Sequence, residues 1–260
     1  MAERGQRLKE RLAGGAAAFG AWLTMTDPAV AEIMAGTGFD YVLIDMEHAP
    51  WTLPALQTAL MAFRGSATVP MVRVAWNDAV LIKQALDVGA EGILAPMVRT
   101  VAEAEALVAA CRYPPDGVRG FGPRRASDYG RDIDAYMALA NRSLVVIAQI
   151  EDVRTVDSID AYLAVEGLDA VCIGPNDLSG SAGVLRQHGH PVVRDAIDRI
   201  LAAASGRGIP VCTGVTMPAA QQPAWIARGA RLALVTSDVE LLARGGSEAL
   251  AACRAAVSAG

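Results

Sequence analysis

Four segments of the chain share one pattern: AGTGFDYVLIDME (35–47), LDVGAEGILAPMV (86–98), AVEGLDAVCIGPND (164–177) and IARGARLALVTSD (226–238). Each runs from the end of a helical pattern, through a glycine (Gly38, Gly89, Gly167 or Gly229), into an apolar run. Glycine suits that position because helices commonly end on a residue with left-handed backbone, which costs glycine nothing. The apolar runs lack polar alternation, as expected of parallel strands covered on both faces. A helix–glycine–buried strand unit, repeated, leaves few architectures open.

Eight such runs are present: 18–25, 40–46, 69–76, 92–98, 144–151, 169–174, 210–215 and 231–237. Helical patterns follow them, two with clear starts: Asp27 as N-cap with Pro28 behind it, and Asp78 as N-cap. Eight alternations argue for an α/β fold of the (β/α)8 TIM-barrel type rather than an open doubly wound sheet. No G-x-G-x-x-G follows a strand, which weakens a dinucleotide-binding alternative. With 260 residues, 53% of them hydrophobic, residues 1–260 are read as one barrel domain. One connection is long: the loop at about 112–131 carries Arg112, Arg119, Arg124, Arg125 and Arg131 among glycines. It reads either as a solvated basic loop or as a rim meeting an anionic substrate or a neighbouring subunit.

The net charge of −5 gives no basic footprint for nucleic acid and no polybasic patch for a membrane surface. The four cysteines form no Cys-x-x-Cys pair and read as small buried or half-buried thiols in a reducing compartment. No segment reads as a membrane span or a secretory leader, so the expected location is the cytoplasm.

In such a barrel the active site is built at the C-terminal ends of the strands. Strand two ends in Asp45-Met46-Glu47-His48, strand three carries Arg73, strand five ends in Gln149-Ile150-Glu151, and strand six runs into Pro175-Asn176-Asp177. Glu151 and Asp177 are carboxylates on neighbouring strand ends. Each alone reads equally well as a helix cap. Together they repel unless a cation or a proton is shared, and two oxygen ligands with open positions suit Mg²⁺ or Mn²⁺. Arg73 is either ion-paired with Asp45 or Glu47, or held where negative charge develops in a reaction. His48 has the chemistry of a general base near neutrality. The only lysines are Lys9 and Lys83, neither at a strand end, which argues against a Schiff-base mechanism.

The segments LIDMEHAP, VPMVRVAWND…IKQALDVGAEGILAPMV, CRYPPDGVRGFGP, VIAQIE and DAVCIGPNDLS, in this order, resemble the HpcH/HpaI aldolase/citrate lyase family and its metal-dependent class II pyruvate aldolases. The resemblance covers nearly the whole chain and implies a TIM barrel. It implies reversible aldol cleavage of a 4-hydroxy-2-oxo acid to pyruvate, or an analogue such as hydroxypyruvate, and an aldehyde. It implies Glu151 and Asp177 as ligands of Mg²⁺, Mn²⁺ or Co²⁺, with Gln149 and the Asn176 backbone on the pyruvate moiety. Arg73 falls on the enolate-stabilising arginine, His48 on the base, and Asp45 on an acid that orders water near the metal. Asp87 falls on an acid that reaches the base from a neighbouring subunit. The resemblance further implies a homo-oligomer, trimers paired into hexamers, with C-terminal helices exchanged. Gly245-Gly246 is expected to weaken or break that helix. Two other readings stay open: an acyl-CoA lyase of the same broad family, and a barrel that only binds small acids.

Overall fold

The computed structural model describes residues 2–216 and 218–258. Helix α1 (Ala2–Ala13) precedes β1 (Ala18–Leu23), α2 (Pro28–Gly36), β2 (Tyr41–Asp45), α3 (Leu53–Ala62), β3 (Val69–Arg73), α4 (Ala79–Asp87) and β4 (Gly92–Ala95). Then come α5 (Val101–Cys111), α6 (Ile133–Ser143), β5 (Val145–Ile150), α7 (Ile159–Tyr162), β6 (Ala170–Ile173) and α8 (Pro175–Ser181). The chain ends with α9 (Pro191–Arg207), β7 (Val211–Cys212), α10 (Gln222–Ala227), β8 (Ala230–Ser237) and α11 (Asp238–Ser258). The eight strands pair in parallel and in chain order, and β8 closes on β1. The fold is therefore the expected (β/α)8 TIM barrel.

Local sequence explains the joints. Gly38, Gly89, Gly167 and Gly229 have φ of 95°, 104°, 92° and 106°, the left-handed turn from helix into strand that other residues resist. Asp27 and Asp78 cap α2 and α4 through their carboxylates, as their positions predict. Two packed layers result. Inside the barrel lie Tyr41, Leu43, Met71, Leu94, Ile147, Cys172, Cys212 and Leu232. Leu8 and Leu12 of α1 join that cluster, so α1 closes the N-terminal end of the barrel. Arg4 of α1 makes a buried ion pair with Glu91 there and also donates to the Phe63 carbonyl. The second layer, Val42, Ile44, Ile93, Val146 and Val171 with the inner helix faces, lies between barrel and helices.

Three expectations change. The Gly245-Gly246 pair does not break the last helix, because α11 runs through both residues to Ser258. Each glycine costs about 1 kcal/mol relative to alanine, which weakens a helix without forbidding it. The arginines of the 112–131 loop are not all solvated. Arg119 and Arg125 are buried; Arg119 bonds Asp87, and Arg125 donates to the carbonyls of Leu60 and Val88, capping helix ends. Of the cysteines, Cys111, Cys172 and Cys212 are buried but Cys253 is exposed. Among the described residues no helix is long and apolar enough to cross a membrane.

Candidate active site

The strand ends deliver their polar residues to one mouth. A cavity of about 330 Å³ opens there, with Asp45, His48, Arg73, Gln149, Asn176 and Asp177 in its wall. A larger cavity of about 720 Å³ lies beside Arg4 and Arg64, at the opposite end of the barrel.

Register places the first pair. Asp45 is the strand partner of Arg73, so their side chains leave adjacent strands side by side. The guanidinium forms a two-bond fork: Nε donates to Asp45 Oδ1 at 2.8 Å and Nη2 to Oδ2 at 2.7 Å. It also lies 4.4 Å from the centre of the Trp22 ring. Burial works against the Arg73 charge, but the Asp45 bonds more than offset this, so the guanidinium is held above its ordinary pKa. Asp45 Oδ1 further accepts the N–H groups of Glu47 and His48, at 3.1 and 3.2 Å, which shapes the turn after β2. Both Asp45 oxygens are thus engaged by protein donors.

Glu47, which the sequence offered only as an ion-pair partner for Arg73, sits between Arg73 and His48. Its Oε2 lies 3.1 Å from Arg73 Nη1 and 3.7 Å from His48 Nε2. Burial raises its carboxyl above the ordinary range, and Arg73 and His48 pull the other way. The His48 side chain is 65% exposed, so it is open to incoming substrate.

The opposite side of the mouth carries the other two carboxylates. Glu151 is buried but does not cap the following helical turn; Asp152 does that, accepting from the Arg154 N–H. Glu151 Oε1 accepts from Gln149 Nε2, and Oε2 accepts the Met97 N–H at 2.8 Å. Met97 has φ of 56°, a left-handed backbone uncommon for a side-chain-bearing residue, and that bend aims its N–H at Glu151. Burial raises the Glu151 carboxyl, repulsion from Asp177 adds to this, and the bonds from Met97 and Gln149 oppose it. Gly174 makes room: a Cβ there would meet Glu151 Cγ at 2.6 Å and Oε1 at 2.7 Å.

The donor set fits a divalent cation. Arg73 is already committed to Asp45 and Glu47. Glu151 and Asp177 form no ion pair among the described residues, and Gln149 Oε1 is a buried acceptor with no partner. Two unneutralised carboxylates beside an orphan amide oxygen are hard ligands for Mg²⁺ or Mn²⁺. Among the described residues no third His, Cys, Asp or Glu joins them, so the remaining positions would fall to substrate oxygens and water.

Asn176 and Asp87 are placed differently. Asn176 Oδ1 contacts His188 Nε2 at 2.8 Å. Asp87 is tied to Arg119 of the long loop, at 2.7 Å, and has no contact with His48 of its own chain. Sequence reasoning missed Met97, whose contribution is a backbone N–H, and Trp22, whose only signal was an aromatic residue near the end of strand one.

A closed parallel barrel with acids, one forked arginine and an open histidine at its C-terminal mouth is the plan of a TIM-barrel enzyme acting on a small anionic substrate. The HpcH/HpaI aldolase/citrate lyase family matches residues 18–245. A 5-keto-4-deoxy-D-glucarate aldolase of Shigella dysenteriae is 39% identical over 235 residues, 90% of this chain and 91% of that protein. A family protein from Burkholderia cenocepacia has a crystal structure that superposes with a TM-score of 0.89 at 35% identity, covering 95% of this chain and 99% of that one. An HpcH/HpaI aldolase from Desulfitobacterium hafniense gives 0.86 at 30% identity, covering 95% and 96%. The chain belongs to the HpcH/HpaI aldolase/citrate lyase family, and it is a carbon–carbon lyase.

Proposed function

We propose that this chain catalyses the reversible, divalent-metal-dependent aldol cleavage of a 4-hydroxy-2-oxo acid into pyruvate and an aldehyde. One observation carries this reading: two carboxylates without counter-ions, Glu151 and Asp177, share a mouth with the Asp45-forked Arg73. Glu151 and Asp177 would hold the cation, which would supply Lewis-acid polarisation to the 2-oxo acid. Gln149 and the Asn176 backbone orient the pyruvate moiety. His48 Nε2 takes the proton from the C4 hydroxyl as the C3–C4 bond breaks and the aldehyde leaves. The bonding pair passes into the enolate, whose oxygen is stabilised by Arg73. Its Nη1 lies outside the Asp45 fork; it is paired with Glu47 and has a second N–H to offer the enolate oxygen. Return of that proton from His48 to C3 then gives pyruvate and restores the base. Asp45 acts through Arg73, and Glu47 restrains both Arg73 and His48.

Protein treated with chelator and then dialysed loses pyruvate formation and recovers it with Mg²⁺, Mn²⁺ or Co²⁺. Full activity in excess chelator would rule out the metal-dependent reading.

The reading extends to assembly as trimers or hexamers. In support, α11 buries only Asp238 of its residues, and Leu242 and Val257 are 65% and 83% exposed. Phe19 on β1 is likewise 40% exposed, an unusual state for a barrel strand. If Asp87 serves the His48 of a neighbour, His48→Ala and Asp87→Ala are each inactive alone. Co-assembled from equal amounts, they regain activity at about one quarter of the sites, the share where both residues are intact. Mixed oligomers as inactive as either parent would show that the site is not shared.

A further inference from the structure

A second cavity, about 490 Å³, lies behind the active-site mouth, outside the barrel wall between the ends of β6 and β7 and helices α9 and α10. Pro175 and Val215 line both cavities, so they are next-door neighbours. The second one is within the size range of small-molecule sites. Its apolar wall is made by Ile173, Val215 and the Trp225 ring.

The charges facing this space are Arg194, Arg228, Asp198 and, when protonated, His188. Asp198 is spent on Arg228, whose guanidinium also lies 5.2 Å from the centre of the Trp225 ring. His188 is turned to Asn176 Oδ1, 2.8 Å away. Arg194 is left over: among the described residues its guanidinium makes no hydrogen bond and no ion pair. An uncommitted guanidinium at the rim of an apolar, Trp-walled space recognises negative charge and a flat apolar body together. A cation finds no free acid there, because Asp198 is already neutralised. A small inorganic anion leaves the Trp225 wall unused.

We propose that this cavity binds a small organic anion, a carboxylate or phosphate monoester on a flat apolar body, with Arg194 on the anionic group and Trp225 on the body. Binding is distinct from substrate binding. The ligand reaches the active site through the His188–Asn176 contact, because the two residues stand in adjacent cavities and touch. This last step alone rests on the aldolase reading; the binding does not.

Benzoate is a suitable probe, measured by titration calorimetry on the full chain, with benzylammonium carrying the same body and opposite charge, and acetate the charge without the body. Benzoate is expected to bind once per chain. Arg194→Ala weakens it about tenfold, the loss of one charge-assisted contact, and Arg73→Ala leaves it unchanged. Benzylammonium and acetate bind far more weakly. Arg194 is exposed, so its replacement does not endanger the fold; Trp225→Phe provides a second variant that keeps a ring. No saturable benzoate binding would overturn the proposal. So would binding that Arg73→Ala abolishes and Arg194→Ala does not touch, since benzoate would then sit in the mouth. For the coupling, benzoate is expected to shift the KM for the 2-oxo acid in the parent protein and not in Arg194→Ala. An unchanged KM with intact binding would remove the coupling. Loss of all aldolase activity with Arg194-dependent benzoate binding would overturn the reaction and keep the site.

Discussion

Arg73→Ala is expected to lower kcat/KM for pyruvate formation by about 10²–10³, or about 2.7–4 kcal/mol, the cost of removing one donor from a developing oxyanion. The magnitude is large because the guanidinium is preorganised. Two bonds to Asp45 and the Trp22 ring hold it before substrate arrives. The same variant leaves Asp45 as a buried carboxylate without a counter-ion, which destabilises the protein by about 3–5 kcal/mol of its own. Activity must therefore be read on the folded fraction, by circular dichroism beside kinetics. Arg73→Lys separates the two effects: it keeps a charge but not the fork, and its activity falls between alanine and arginine. A change of less than twofold for Arg73→Ala would remove Arg73 from the reaction.

Glu151→Gln is expected to abolish metal-dependent activity and yet make the metal-free protein more stable. The Glu151 carboxyl is raised above the ordinary range by burial, with Asp177 adding repulsion. A carboxyl raised on folding contributes stability that is complete below its unfolded pKa and lost as pH rises through the folded one. At neutral pH the charged group is therefore a cost, and the amide removes it. The hydrogen bonds survive the change: the Met97 N–H keeps an oxygen acceptor, and the Gln149 amide can turn its orphan Oε1 toward the new NH₂. The gain is about 1–3 kcal/mol, the scale of an uncompensated buried polar group, or roughly 2–4 °C in Tm per kcal/mol for a chain of this size. The parent's metal-free Tm rises as pH is lowered toward the carboxylate range, and the variant's rises less. Wild-type activity in Glu151→Gln, or a lower metal-free Tm, would refute the assignment.

Much of this site was legible because a barrel converts position along a strand into position in space. Once Asp45, Arg73, Gln149, Glu151 and Asp177 are recognised at strand ends, one mouth must receive them. What stayed hidden depends on geometry that periodicity does not encode. The Met97 N–H reaches Glu151 only because of a left-handed bend at a residue whose side chain gives no such signal. Glu47 gained its place between Arg73 and His48 from the turn shaped by Asp45. Arg119 and Arg125, read either as part of a solvated basic loop or as a rim for an anionic substrate or a neighbour, are internal props.

By itself, the sequence determined the parallel barrel, its eight strands, the glycines that turn helix into strand, and the strand ends from which polar groups emerge. Those features follow from local periodicity and backbone preference, which are properties of short segments. Only the tertiary structure decided which charge faces which. Arg73 is spent on Asp45 and Glu47, while Glu151 and Asp177 are left without a cation. Partners for charged groups are chosen by register between strands and by packing across the mouth, and both join residues far apart in the chain.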